Sequence, residues 1–160
     1  TLGIFGLVGS SVYGGNLRLS GRVCLPVSLA LAVSGGGGMK STQTYWNPLD
    51  KASDNEWEFI DGSDGNLSQI TLAQDSINGD YTRLTRFKDG YDTKAFGAKS
   101  HSYPEEIFVV SGRLYDEAFD MWLEPGYYAS RPPGEVHGPF LADGEVVILE
   151  MSYPSQGSDS

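Results

Sequence analysis

The chain of 160 residues has one cysteine, two histidines and eleven basic residues against 21 acidic ones. Cys24 alone excludes an intrachain disulfide and any multi-cysteine zinc site, so a bound metal would have to be held by oxygen and imidazole. The formal net charge of -10, with no basic run, argues against a nucleic-acid partner, because that affinity comes mainly from Lys and Arg on phosphates. Long apolar runs are missing as well. The stretch 23–33 is broken by Pro26 and is too short to span a bilayer, so no membrane partner is expected. From Met39 onward no segment free of Gly and Pro exceeds 13 residues, which leaves little room for long helices.

What is present divides in two. The first 38 residues hold no acid, only Arg18 and Arg22 as charges, and ten of the 21 glycines. From Met39 the balance is nine basic residues (11 minus 2) against 21 acidic ones, or -12. Residues 1–38 are therefore expected to be a leader or unstructured extension ahead of a domain at 39–160, with Gly35 to Gly38 running into Met39-Lys40 like a start of translation. That reading makes the protein cytoplasmic. Two alternatives stand beside it: residues 18–34 as an export signal, with a charged start, apolar middle and small-residue end, or a structured element. In none of these does the segment carry the chemistry.

After Met39 come short runs rich in Val, Ile, Thr, Tyr and Phe, punctuated by Gly, Asp, Asn and Pro. Strands are expected at 67–73, 81–87, 105–110, 113–116, 126–130, 136–141 and 145–152, with one weak helical candidate at 49–58. Short, regularly punctuated strands read as an all-β sandwich or barrel. In the last run Val146 and Ile148 face one way while Val147, Leu149 and Met151 face the other, so this strand belongs inside the assembly. The Gly62-Ser-Asp-Gly65 turn lacks the strand, helix and lysine of a phosphate loop. Asp61, Asp64 and Asn66 lack the closing glutamate of a calcium loop.

Both histidines fall in motif-like settings. His101 precedes Glu105 in Lys-Ser-His-Ser-Tyr-Pro-Glu-Glu-Ile-Phe-Val-Val-Ser-Gly112, and His137 closes Gly126-Tyr-Tyr-Ala-Ser-Arg-Pro-Pro-Gly-Glu-Val-His. Imidazole, carboxylate and imidazole at these spacings can fold onto one divalent ion.

On these residues the part from about Asp80 to Pro154 resembles a cupin, and specifically the ChrR-like cupins. In the first cupin motif, at about 93–112, His101 fills the second histidine, Glu105 the glutamate and Gly112 the closing glycine. The second motif, at about 126–141, is matched by Gly126, Pro132, Gly134 and His137. Lys99 stands in place of the first histidine, Thr93 of the opening glycine and Leu141 of a frequent asparagine. The resemblance implies a double-stranded β-helix, or jelly-roll barrel, with one divalent ion per chain. A three-ligand set of His101, Glu105 and His137 resembles the facial triad of non-haem iron enzymes, so Fe2+ is favoured, with Zn2+, Mn2+ and Ni2+ open. Glu106 becomes the ligand if the turn slips by one residue.

Strand alternation puts Lys99 on the same side as His101, while Pro104 and the Pro132-Pro133-Gly134 turn bring Glu105 and His137 to them. Lys99 is then a surface ammonium, a partner of Glu105 or a pocket base. Tyr103 and Arg131 either line the pocket mouth, orienting an anionic oxygen, or merely pack. Phe108, Trp122, Tyr128 and Phe140 are expected in the core or pocket wall. By resemblance, the activity is that of a small metal-dependent dioxygenase on diketones or hydroxylated aryl ketones, with Lys99 deprotonating the substrate or steadying its oxyanion. The alternatives are a non-catalytic sensor of metal and small ligand, and a scaffold that has lost its metal, with Lys99 paired to Glu105. The resemblance also implies a homodimer through exposed strand edges. The sequence argues against an anti-sigma role, because residues 1–65 hold no histidine and one cysteine from which to build the zinc domain it needs.

Overall fold

The computed structural model describes residues 43–157, so the expectation for residues 1–38 lies outside the described residues. Seven strands carry the fold: β1 (Glu58–Phe59), β2 (Leu67–Gln74), β3 (Tyr81–Phe87), β4 (Glu105–Asp116), β5 (Met121–Leu123), β6 (Tyr128–Arg131) and β7 (Phe140–Ser152). The all-β expectation holds. The helical candidate at 49–58 forms only a 3-10 turn, Lys51–Glu56, whose first amides are capped by Asp50 accepting from Ala52 N at 3.2 Å. No helix among the described residues is long and apolar enough to cross a membrane.

All pairings are antiparallel, in the order β1-β2-β3-β7-β4-β5, with β6 also on β4. The last strand is the axis of this sheet. Its C-terminal half lies between β3 and β4, pairing Thr85 with Ile148 on one side and Glu105 with Ser152 on the other. Its two apolar faces serve two clusters: Val146 and Ile148 pack with Phe87, Ile107, Val109 and Leu114, while Val147 packs with Trp57, Ile70 and Leu84.

Two expected strands, 105–110 and 113–116, are one. Bulges between Val109 and Arg113 keep β4 paired with β7 while shifting its phase. Before the bulges the buried positions are Glu105, Ile107 and Val109; after them they are Leu114 and Asp116. Gly112 makes this possible, with φ at +73° and a backbone so close that an added Cβ would collide with the Glu145 carbonyl oxygen and sit 2.8 Å from Val146 Cα. Strands β1 and β5 were not expected, being two and three residues long.

Gly112→Ala combines left-handed strain with a backbone collision and should lower the unfolding free energy by about 3 kcal/mol or more. Gly126→Ala, at φ +94° with open space around it, should cost only roughly 1 to 2 kcal/mol. Urea denaturation of both variants checks this, and an equal or smaller loss at Gly112 would contradict the role given to the bulge.

Candidate metal centre

Alternation along β4 decides which glutamate faces inward. Glu105 is in phase with buried Ile107 and Val109 and is itself 3% exposed. Glu106 points to the other face, where its carboxylate accepts from the Tyr128 and Tyr153 hydroxyls at 2.7 and 2.8 Å. The histidines are brought up by an isolated two-way bridge. Lys99 N donates to His137 O and His137 N to Lys99 O, both at 2.9 Å, while Gly134 N donates to His101 O at 2.7 Å. The imidazole centroids are consequently 5.2 Å apart. His101 Nε2 lies 3.8 Å from Glu105 Oε1, and His137 Nε2 lies 4.0 Å from Glu105 Oε2. One donor atom from each of the three residues lies within 4.8 Å of the others.

The carboxylate is also held from both neighbouring strands. Arg131, opposite it on β6, donates from Nη1 to Oε2 at 2.9 Å, and Ser152, opposite it on β7, donates from Oγ to Oε1 at 3.3 Å. The guanidinium extends to Asp116, with Nη2 3.8 Å from Oδ2. Burial, with help from Arg131 and His101, lowers the His137 pKa, outweighing the pull of Glu105. His137 Nδ1 faces the Glu135 carbonyl at 3.4 Å. A carbonyl only accepts, so Nδ1 carries the proton and Nε2 keeps its lone pair toward Glu105.

This donor set fits a divalent ion. Bonds of about 2.1 Å put neighbouring ligands roughly 3 to 3.5 Å apart, so small side-chain rotations close the triangle. Arg131 and Ser152 leave lone pairs on Glu105. Counting Glu105 and Asp116 as anions and Arg131 as a cation, the buried group carries one uncompensated negative charge, which a cation neutralises.

A cavity of about 260 Å³ opens on the triad, and Lys99, Arg131 and Phe140 line it. Lys99 is exposed at its edge, with Nζ 5.9 Å from the Phe96 ring centroid. Glu105 takes its ion pair from Arg131, so the notion of a Lys99–Glu105 pair gives way to a β6–β4 pair. Tyr103 does not line the cavity. It stacks on His101 at 5.0 Å, and its hydroxyl meets that of Tyr81 at 3.4 Å; burial and this contact push its pKa up, keeping it a neutral phenol.

Phe108, Trp122 and Tyr128 stand outside the cavity, and parity is the reason. Phe108 alternates outward from Ile107 and Val109, Tyr128 opposes it on β6, and Trp122 turns away from inward Leu123 to pack on Tyr115.

Residues that sequence reasoning missed fill the remaining wall: Gln69, Arg83, Thr85 and Glu150 are polar, while Leu67, Phe87, Phe96 and Ile148 are apolar. A signal existed. Extending the Val146–Ile148 alternation by two residues puts the Glu150 carboxylate on the inner face. Thr93, standing where the motif opens on glycine, accepts at Oγ1 from Phe140 N at 2.7 Å and ties the 3-10 turn Thr93–Phe96 to β7.

The fold is that of a small cupin barrel. A solved RmlC-like cupin from Shewanella frigidimarina is 17% identical with a TM-score of 0.55, over 72% of this chain and 93% of that one. An acetylacetone dioxygenase from Acinetobacter johnsonii is 16% identical with a TM-score of 0.52, over 71% of this chain and 78% of its own. At such identities the likeness is one of fold. Comparison with curated proteins finds no match. The chain belongs to the family described as ChrR cupin-like domain, whose profile matches residues 51–154, more than half of its length.

Two outcomes are expected. Because the folded-state pKa of His137 is lowered, the unfolded chain takes up its proton first as the pH falls. Metal-free protein should therefore lose stability from about pH 6.5 downward. Glu150, pushed up mainly by burial, acts with the opposite sign but is common to wild type and His137→Gln. Urea midpoints against pH should fall more steeply toward acid in wild type than in the variant, and parallel curves would remove the assignment. Arg131→Met leaves Glu105 buried without its cation and should cost roughly 3 to 5 kcal/mol in metal-free protein, read from the same titration.

Proposed function

We propose that this domain is a mononuclear metal-dependent enzyme, an oxygenase of small oxygen-rich molecules in the diketone or hydroxylated aryl ketone class. The observation that carries the reading is the buried Glu105 carboxylate set between two imidazoles at the wall of a largely apolar cavity. His101, Glu105 and His137 would hold the ion, with Fe2+ favoured. When bound, it supplies Lewis-acid polarisation of two substrate oxygens and, as iron, redox chemistry with dioxygen. The similarly folded acetylacetone dioxygenase lends the reading its reaction class.

The chain's own groups have distinct parts. Phe87, Phe96, Phe140 and Ile148 form walls that exclude water from the substrate's carbon skeleton. Lys99, exposed at the edge, suits the steadying of an oxyanion better than proton abstraction. Arg131 touches Glu105 and fixes its orientation. A homodimer through an exposed sheet end, β1 or β5, belongs to the same reading, and sedimentation equilibrium checks it.

A second reading is favoured by the Arg131–Glu105 pair, which gives the carboxylate a cation without any metal ion: a scaffold that has lost its metal. Elemental analysis of freshly purified protein separates the two. The enzyme reading expects about one transition metal per chain, lost in His101→Ala and His137→Ala, and oxygen uptake by ferrous-loaded protein with a 1,3-dicarbonyl or phenolic ketone. Protein that neither carries nor takes up stoichiometric metal sinks it, while metal without oxygen uptake removes the oxygenase and keeps a metal-binding site.

A further inference from the structure

The cavity has a second polar cluster to which the metal centre assigns no role. Arg83 and Thr85 on β3, Glu150 on β7 and Gln69 on β2 face inward together. Arg83 Nε donates to the Glu150 carboxylate, and Thr85 Oγ1 donates to Glu150 Oε2 at 2.9 Å. The Gln69 amide, oriented with its oxygen toward the guanidinium, accepts from Arg83 Nε and Nη2 at 3.1 Å each. The Nε–Nη2 edge of the guanidinium is thus engaged. Nη1 has no acceptor among the described residues, so the Nη1–Nη2 edge is a fork of two parallel N–H groups without a protein partner, on a side chain that lines the cavity.

Such a pair is poor value as mere structure, since an apolar pair of similar volume packs as well or better. A guanidinium braced on one edge and open on the other is, however, pre-organised for a planar group with two oxygens. We propose that Arg83, braced by Glu150 and Gln69, anchors a carboxylate carried by the substrate away from its metal-binding oxygens, so that the preferred substrate is a carboxylated dicarbonyl compound. This rests on the metal-dependent reading given above.

The charge distribution agrees. Arg131 is taken up by Glu105 and Asp116, so the cationic groups left to meet an anion on the cavity wall are Arg83, through its open edge, and Lys99. At about 260 Å³ the space falls below the roughly 300–1,000 Å³ of drug-sized sites, so the carbon chain between the two polar ends must be short.

The test uses two probes with the same 1,3-dione, 4,6-dioxoheptanoate and 2,4-heptanedione, in which a carboxylate replaces a methyl group. Calorimetric titration is run on iron-loaded protein without oxygen and on metal-stripped protein. Wild type should prefer the carboxylate by roughly tenfold in both forms. Arg83→Lys, which keeps a cation for Glu150, should lose most of that preference. Arg83→Met combined with Glu150→Gln should lose all of it while binding 2,4-heptanedione as wild type does. Equal affinity for the two probes in wild type, or a preference that survives both variants, overturns the anchor. A preference in stripped protein, with the affinities for both probes themselves unchanged by iron, supports the anchor while counting against metal chelation. Binding of neither probe counts against both.

Discussion

A carboxylate taken out of water needs donors around it, and Glu105 takes them from both neighbouring strands. Its neighbour across β6 is Arg131 and its neighbour across β7 is Ser152, so two of its partners are delivered by sheet register alone. The imidazoles arrive differently, on segments outside the named strands that are clamped to each other through the Lys99–His137 bridge. A row fixed by hydrogen-bonded strands and a clamp fixed by two backbone bonds thus meet at one carboxyl group. A slip of one residue in β4 would expose it and bury Glu106 instead.

The motif residues were legible because their spacing is short-range: turn chemistry and alternation act over a few residues. Strand β3 was placed at its exact limits for the same reason. The wall was not legible, because which aromatic faces inward depends on phase, and phase changes where β4 bulges. Phe108 and Trp122 looked like wall by residue type, yet parity sends both outward. Nor could the partner of Glu105 be read from the chain. Lys99 was the nearest candidate cation in sequence, whereas Arg131 reaches Glu105 across a strand pair that the sequence does not announce.

The cavity wall also differs from the acidic chain around it. An acidic surface repels anions at long range, but that repulsion is screened within about 10 Å at ordinary ionic strength. Inside that distance the open edge of Arg83 and the exposed ammonium of Lys99 act on the cavity, Arg131 being taken up by Glu105 and Asp116. On the reading proposed above, entry of a small oxyanion is set by the local wall and not by the overall charge.

The bulge at Gly112 has a further consequence for how the domain tolerates change. It separates the rows that carry Glu105, where residues 105–109 pair with 148–152, from the closed end, where 113–116 pair with 140–143. Each half keeps its own phase against β7, so the bulge works like an expansion joint in a rail. Leu114 and Leu123 pack in the same cluster as Phe87 and Ile148 of the cavity wall, so an exchange at that end is felt across the joint. Asp116 at that end reaches Arg131 and Phe140 lines the cavity, so the joint changes the strand's phase without isolating one end from the other.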